Sequence, residues 1–310
     1  MSDDAEARQK KGEEASNERK SKARTDAKVR EREEREQTLT TTEEALTSEE
    51  RNAVSERLKL SALSVYSVIL REGEEELHRP KTSLWWSGVA AGLGISTSVL
   101  MVGVIRANLG EDHPYLILFQ ALGYTFGFVL VILCRLQLFT ENTITVVLPV
   151  LAKPTAHGFF CIARLWSIVF AANMVGTFVT AGLAVHGNIL TPEILRGIIG
   201  ISHHVAELSV SESLLRGIPS GFFIAALVWM LPSAKGSELL LIIMFTWLIA
   251  AGEFTHVVAG SNEIFTLVFT GELGLLTAFS HHILPMLVGN ILGGTGLFAM
   301  LAYGQVHDEM

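Results

Sequence analysis

Behind Lys81, 229 residues of this 310-residue chain carry only seven of its 24 lysines and arginines, and that scarcity of charge decides what the chain can fold into. A water-soluble domain of this size needs far more charge to cover its surface. The stretch therefore reads as embedded in lipid. Its apolar residues fall into six segments, at about 82–106, 116–151, 158–186, 212–231, 238–270 and 281–303. The second and fifth exceed the ~20 residues that one span requires, and polar residues interrupt both. An all-α membrane protein with six transmembrane helices is expected, the second and fifth of them broken.

The other 17 basic residues precede the first span. They share residues 1–81 with acidic runs of mixed register, so there is no sustained basic surface for nucleic acid. Residues 1–52 have the composition of a charged cytoplasmic tail, disordered or loosely helical, and lack the apolar run of a signal peptide. Residues 53–80 carry Leu58, Leu60, Leu63, Val65, Val68, Ile69 and Leu70 in an amphipathic pattern, expected to form a helix in the headgroup plane. A six-helix pore domain then occupies residues 81–306. Basic residues in the loops divide evenly between the two sides, so the basic tail sets the orientation. Both termini are expected in the cytoplasm of a multi-pass protein of the bacterial inner membrane.

Gly88/Gly92, Gly123/Gly127, Gly217/Gly221 and Gly289/Gly293 each stack two glycines on one helix face, which lets backbones approach closely where lipid offers no hydrophobic drive. Cys134 and Cys161 suggest neither a disulfide framework nor a zinc site. No spacing of His, Cys or carboxylates points to a metal, and no Gly-rich phosphate loop points to a nucleotide. No cofactor and no enzymatic activity are expected.

An internal repeat says more about function. Phe139-Thr140 and Phe254-Thr255 lie 115 residues apart, and Asn173 and Asn290 (the latter three residues before Gly293) lie 117 apart. Two matches in the same order suggest two three-helix halves that enter the membrane from opposite sides, an inverted repeat. Backbone breaks survive in a membrane only where protein or a water-filled path receives them. Thr140, Glu141, Asn142 and Thr143, and then Gly252 to His256, are polar enough to mark such breaks. The half-helices that begin there aim positive dipole ends at a common centre. His256 at membrane depth can donate a hydrogen bond to an anion or move a proton; otherwise it is a core histidine bonded to a neighbour such as Thr140. Phe139 and Phe254 read as hydrophobic constrictions or as packing, and Tyr124 and Phe128 as vestibule lining or packing. Glu141 is the awkward residue, since a carboxylate beside an anion must be protonated, paired or turned away. Glu253 reads as a cap on the second break.

These residues together resemble the formate–nitrite transporter family: Leu138-Phe139-Thr140-x-Asn142-Thr143, the Gly252-to-His256 break, and Gly289-Asn290-Ile291-Leu292-Gly293-Gly294. The resemblance covers about residues 55–305, and the wording of 123–128, 137–143 and 246–250 resembles a bacterial inner-membrane branch of it. It implies an aquaporin-like protomer, a homopentamer, and one pore per protomer for a small monovalent anion such as formate, nitrite or hydrosulfide, or its conjugate acid. It also implies that Thr140 and His256 meet at the pore centre, beside Glu141, Asn142 and Thr255, with a proton supplied through or near the histidine. Glu141 replaces the usual small residue of the family, and Gly221 stands where an asparagine is common. A neutral-solute pore, with Glu141 disfavouring anions, is the competing expectation.

Overall fold

The computed structural model describes residues 60–310, together with Arg30, Gln37, Leu46, Thr47 and Glu50. Apart from those five positions, the tail expected over 1–52 and the start of the amphipathic helix lie outside the described residues. The chain divides into two compact units, residues 1–59 and 60–310. Every element below belongs to the second.

All regular structure among the described residues is helical. Helix α1 (Ala62–His78) begins at Ser61, whose hydroxyl accepts the Ser64 N–H, and stops before Pro80, which has no N–H to continue the ladder. Its buried face, Val65, Tyr66, Ile69, Gly73 and Leu77, follows the three-to-four spacing of one helical side. Helices α2 (Lys81–Leu109), α3 (Leu116–Leu133) and α4 (Asn142–Ala152) follow, then α5 (Ala156–His186), which starts where the Thr155 hydroxyl accepts the Gly158 N–H. Helix α6 (Pro192–Ala206) has the N-cap Thr191 and a proline in its first turn, where the missing N–H costs nothing. Ser209 and Glu212 close a capping box on α7 (Val210–Met230), an arrangement that stabilises a helix start by about 1 kcal/mol. Then come α8 (Glu238–Ala251), α9 (Val257–Phe269) and α10 (Leu275–Glu309). Helix α10 is interrupted by π-helical turns at Ala278–Ile283 and Leu292–Ala299.

Five of these helices, α2, α3, α5, α7 and α10, are long and apolar enough to cross a membrane. The fifth apolar segment of the sequence is divided between α8 and α9, both too short to cross alone. The second is divided between α3 and α4.

Glycine governs how the long helices meet. A Cβ on Gly176 of α5 would lie 2.5 Å from the Val89 carbonyl oxygen and 2.8 Å from the Gly92 Cα of α2. On Gly293 of α10 it would strike the Ile218 carbonyl and come within 2.7 Å of the Phe222 nitrogen of α7. The α2–α5 and α7–α10 crossings are thus built alike, backbone on backbone, and any side chain at these positions would force them apart.

Candidate functional site

The two apolar segments that contain short helices turn in the same way. After α3, Cys134 donates its N–H to Leu130, Arg135 to Ile132 and Leu136 to Val131; after α8, Gly252 donates to Leu248, Glu253 to Ala250 and Phe254 to Ile249. Arg135 (φ 53°) and Glu253 (φ 52°) are both held in the left-handed region, uncommon for residues with a side chain. Each pair is offset by 118 residues.

The asparagines then take over in parallel. Asn173 accepts the Phe139 N–H (2.9 Å) and donates to the carbonyls of Gln137 and Gly88. Asn290 accepts the Val257 N–H (2.8 Å) and donates to the carbonyls of Thr255 and Gly217. Both side chains are fully buried and use both amide hydrogens and the carbonyl oxygen, so each break receives its missing backbone partners from one residue. These contacts make Phe139 the counterpart of Val257, whereas the shared Phe-Thr pairs match it with Phe254, three residues away. A two-residue identity is a short signal. The hydrogen-bonded register is the physical one.

His256 sits where α9 begins. Its Nδ1 accepts the Ala259 N–H at 3.3 Å, and a nitrogen that accepts a backbone N–H carries no proton of its own. In the neutral ring the proton therefore sits on Nε2, which donates to the Thr140 hydroxyl at 2.7 Å. The Phe128 ring meets the imidazole edge-on, with centroids 4.9 Å apart. Thr140 and His256 are 0% and 1% exposed, so this contact joins the two breaks deep in the bundle.

A cavity of about 480 Å³ reaches the His256 side of this pair. Its mouth is charged and largely paired: Arg106 with Glu111 (2.9 Å), Arg216 with Glu253 (3.1 Å), and His204 with the same Glu253 (3.4 Å), while Glu207 is exposed without an ion pair among the described residues. His203, also at the mouth, approaches Glu272 of the α9–α10 turn at 2.6 Å. Hydrogen bonds from His203 and then Thr270 hold the Glu272 carboxyl below its usual range. The inner end is formed by Tyr124, Phe254, Thr255, His256, Gly260 and Glu263.

The residues expected at the centre separate into different tasks. Thr140 and His256 meet, as the resemblance implies. Glu141 does not touch His256: its carbonyl accepts the Ile144 and Thr145 N–H groups, while its carboxyl Oε1 is buried without a hydrogen-bond partner. The Asn142 amide is spent on Gln137 and Leu138 within its own turn, and the Thr255 hydroxyl donates to the Ser213 carbonyl. Phe139 packs against Trp166 and Phe170, at centroid distances of 5.7 and 5.4 Å, and Phe254 and Tyr124 line the cavity. Phe128 touches the histidine and stacks on Tyr124. Glu253 faces Arg216 and leaves the capping of α9 to His256. Sequence reading missed Glu263, which is 9% exposed and has no hydrogen-bond or ion-pair partner among the described residues. The available signal was an ionisable residue inside an apolar segment, seven positions after His256.

Residues 63–304 match the family model described as formate/nitrite transporter. The Inner membrane protein YfdC of Escherichia coli (strain K12) is 41% identical over 255 residues, covering 82% of this chain and 82% of that protein. The Formate channel FocA of Haemophilus influenzae is 25% identical over 271 residues, 77% of this chain and 94% of that one. Among solved structures, a "Pentameric formate channel with formate bound" superposes with a TM-score of 0.64 at 19% identity, covering 73% of this chain and 97% of the other. An "FNT family ion channel" gives 0.67 at 18% identity, with coverages of 79% and 98%.

Proposed function

This chain belongs to the formate/nitrite transporter family, and from that premise we propose that it moves a monovalent anion together with a proton, past the Thr140–His256 pair. The family consists of channels and transporters, and the chain is a channel for small anions or weak acids. Formate is the first substrate to test, because two similar proteins are named for it. The observation that carries the reading is the cavity that runs from a charged mouth to a buried histidine hydrogen-bonded across two chain breaks.

The arrangement we infer has six membrane crossings in two inverted halves, with α3–α4 and α8–α9 as the broken second and fifth crossings. The matched turns at Arg135 and Glu253 and the matched asparagines support it. The charged N-terminal segment and the C-terminus lie on the cytoplasmic side of the bacterial inner membrane, α1 rests at the headgroups, and five copies assemble. Support comes from the basic tail, from the relative named an inner membrane protein and from the pentameric relative.

A neutral-solute pore is the second reading, favoured by Glu141, whose Oε1 is buried without a hydrogen-bond partner one residue from Thr140, since an ionised carboxylate near the path opposes an anion. Proteoliposomes of the full chain, given formate, nitrite, hydrosulfide and uncharged analogues across a range of external pH, separate the two. Anion uptake that rises as external pH falls, and is lost in His256→Ala, supports the proposed function. Uptake of uncharged solutes alone sinks it.

A further inference from the structure

We propose that Glu263 is the proton donor of the permeation path: its carboxylic acid protonates the incoming anion in the inner cavity, and the neutral acid then passes the Thr140–His256 pair. The inference rests on the anion–proton reading above and assigns the proton to a residue that reading does not use.

Three observations lead there. First, His256 is poorly placed to supply an acid. Its Nδ1 is occupied by the Ala259 N–H and its one ring proton is engaged with Thr140. Giving that proton away would leave an imidazolate, and loading a second proton would break the cap of α9. Second, Glu263 lines the same cavity with nine-tenths of its surface covered and no hydrogen bond or ion pair. A carboxylate so largely withdrawn from water is less stable in its charged form, and its oxygens, unlike Glu141 Oε1, are not sealed from the cavity. Third, the side chain leans toward the centre. Glu263 lies two helical turns beyond His256 on one face of α9, about 10 Å along the axis. Its Oε2 is only 3.9 Å from where a Cβ on Gly260 would stand. Gly260, midway between the two, keeps the path open: a methyl there would press on Met286 at 2.9 Å from its sulfur.

Among the carboxylates that line the cavity, Glu111 and Glu253 are ion-paired and Glu207 is exposed, which leaves Glu263 as the buried one without a partner. Tyr124 of α3 lines the inner end beside it. Arg106 of α2 and Arg216 of α7 are committed to Glu111 and Glu253, and His203 and His204 of α6 to Glu272 and Glu253. His282 of α10 is buried, and His186 of α5 meets Phe269 edge-on near the end of α9. In the step itself, the O–H bond of the Glu263 acid breaks, and a new O–H forms on the anion, or S–H for hydrosulfide. The resulting carboxylate takes a proton from hydronium in the vestibule water. Charge balances at one anion and one proton per cycle.

Full-length wild type, Glu263→Gln, Glu263→Asp and His256→Ala are reconstituted in liposomes that hold a pH indicator and are given formate or formamide, a neutral molecule of similar shape. In Glu263→Gln, formate-driven acidification of the lumen at about pH 7 is expected to fall on the order of a hundredfold, the scale of a lost general acid. Formamide permeation should persist and show an intact pore, and Glu263→Asp should recover most of the acidification. Unchanged acidification in Glu263→Gln overturns the assignment and leaves the anion channel standing. So does a Glu263→Gln protein that carries more formate as net current, because Glu263 then acts only by repulsion. A wild type that moves formamide but no formate at any pH overturns the anion reading itself, and the assignment with it.

Discussion

At the scale of single residues, buried polar groups carry the architecture and the chemistry on separate side chains. Asn173 and Asn290 each serve three backbone groups inside the bundle, and neither has an atom left for a solute. Replacing Asn290 by alanine should therefore destabilise the protein by about 3 kcal/mol or more, because the buried Val257 N–H and Thr255 carbonyl lose the amide that partners them. A thermal melt of the purified protein in detergent checks this; an unshifted midpoint would mean that water replaces the amide. Thr140 is different, since its hydroxyl receives the His256 proton. Thr140→Val leaves that N–H unsatisfied and should cost about 1–3 kcal/mol along with formate flux, whereas Thr140→Ser keeps the acceptor and most of the flux. The pairing of Thr140 with His256 was legible through the family resemblance, while the polar residues clustered in two overlong apolar segments offered Thr140 only as one possible partner. Glu263 carried a signal as an ionisable residue inside an apolar segment, but only the cavity shows which face of α9 it occupies.

At the scale of elements, the two turns and their asparagines match in hydrogen bonds and hardly at all in residue identity. The halves align at an offset of 118 through Arg135/Glu253 and Phe139/Val257, and none of these pairs is identical. Backbone geometry tolerates many side chains at such positions, which is why the Phe-Thr match misplaced the register by three residues while the asparagines were placed correctly. Glycine spacing was legible because it acts through the absence of a side chain. Gly221→Val should prevent α7 from meeting α10, where even one carbon would strike the Asn290 carbonyl, and folded protein should not be recovered. Gly304 of α10 has nothing within 4 Å of a new Cβ, so Gly304→Ala should be neutral or stabilise by up to about 1 kcal/mol. The contact between α6 and the α9–α10 turn depends on pH. Hydrogen bonds lower the Glu272 carboxyl from its ordinary 4.5, so the His203–Glu272 contact contributes above that value and is lost as pH falls through the lowered one. Spin labels across the two elements should separate only in that acidic window, and in Glu272→Gln the separation should no longer respond to pH there.

At the scale of the whole molecule, the question is where one pore ends and the next begins. All four stacked glycine pairs are used inside the protomer: Gly123 against Ile105, Gly127 against Ser98, and the others between α2 and α5 or α7 and α10. They are therefore already occupied within one chain, whereas Trp86, Phe126, Phe160 and Leu301 are exposed. The cavity, the Thr140–His256 pair and Glu263 are supplied by residues of one chain. A pentamer of such units, five times 33.8 kDa by native mass spectrometry, should contain five independent conduits. Co-reconstituting wild-type and His256→Ala subunits in varied ratio tests this. With one pore per subunit, formate flux falls in proportion to the mutant fraction; with one shared pore it collapses far more steeply, because most assemblies then hold at least one defective copy. A linear decline would place permeation within each protomer, and a steep one would move it to an axis between subunits.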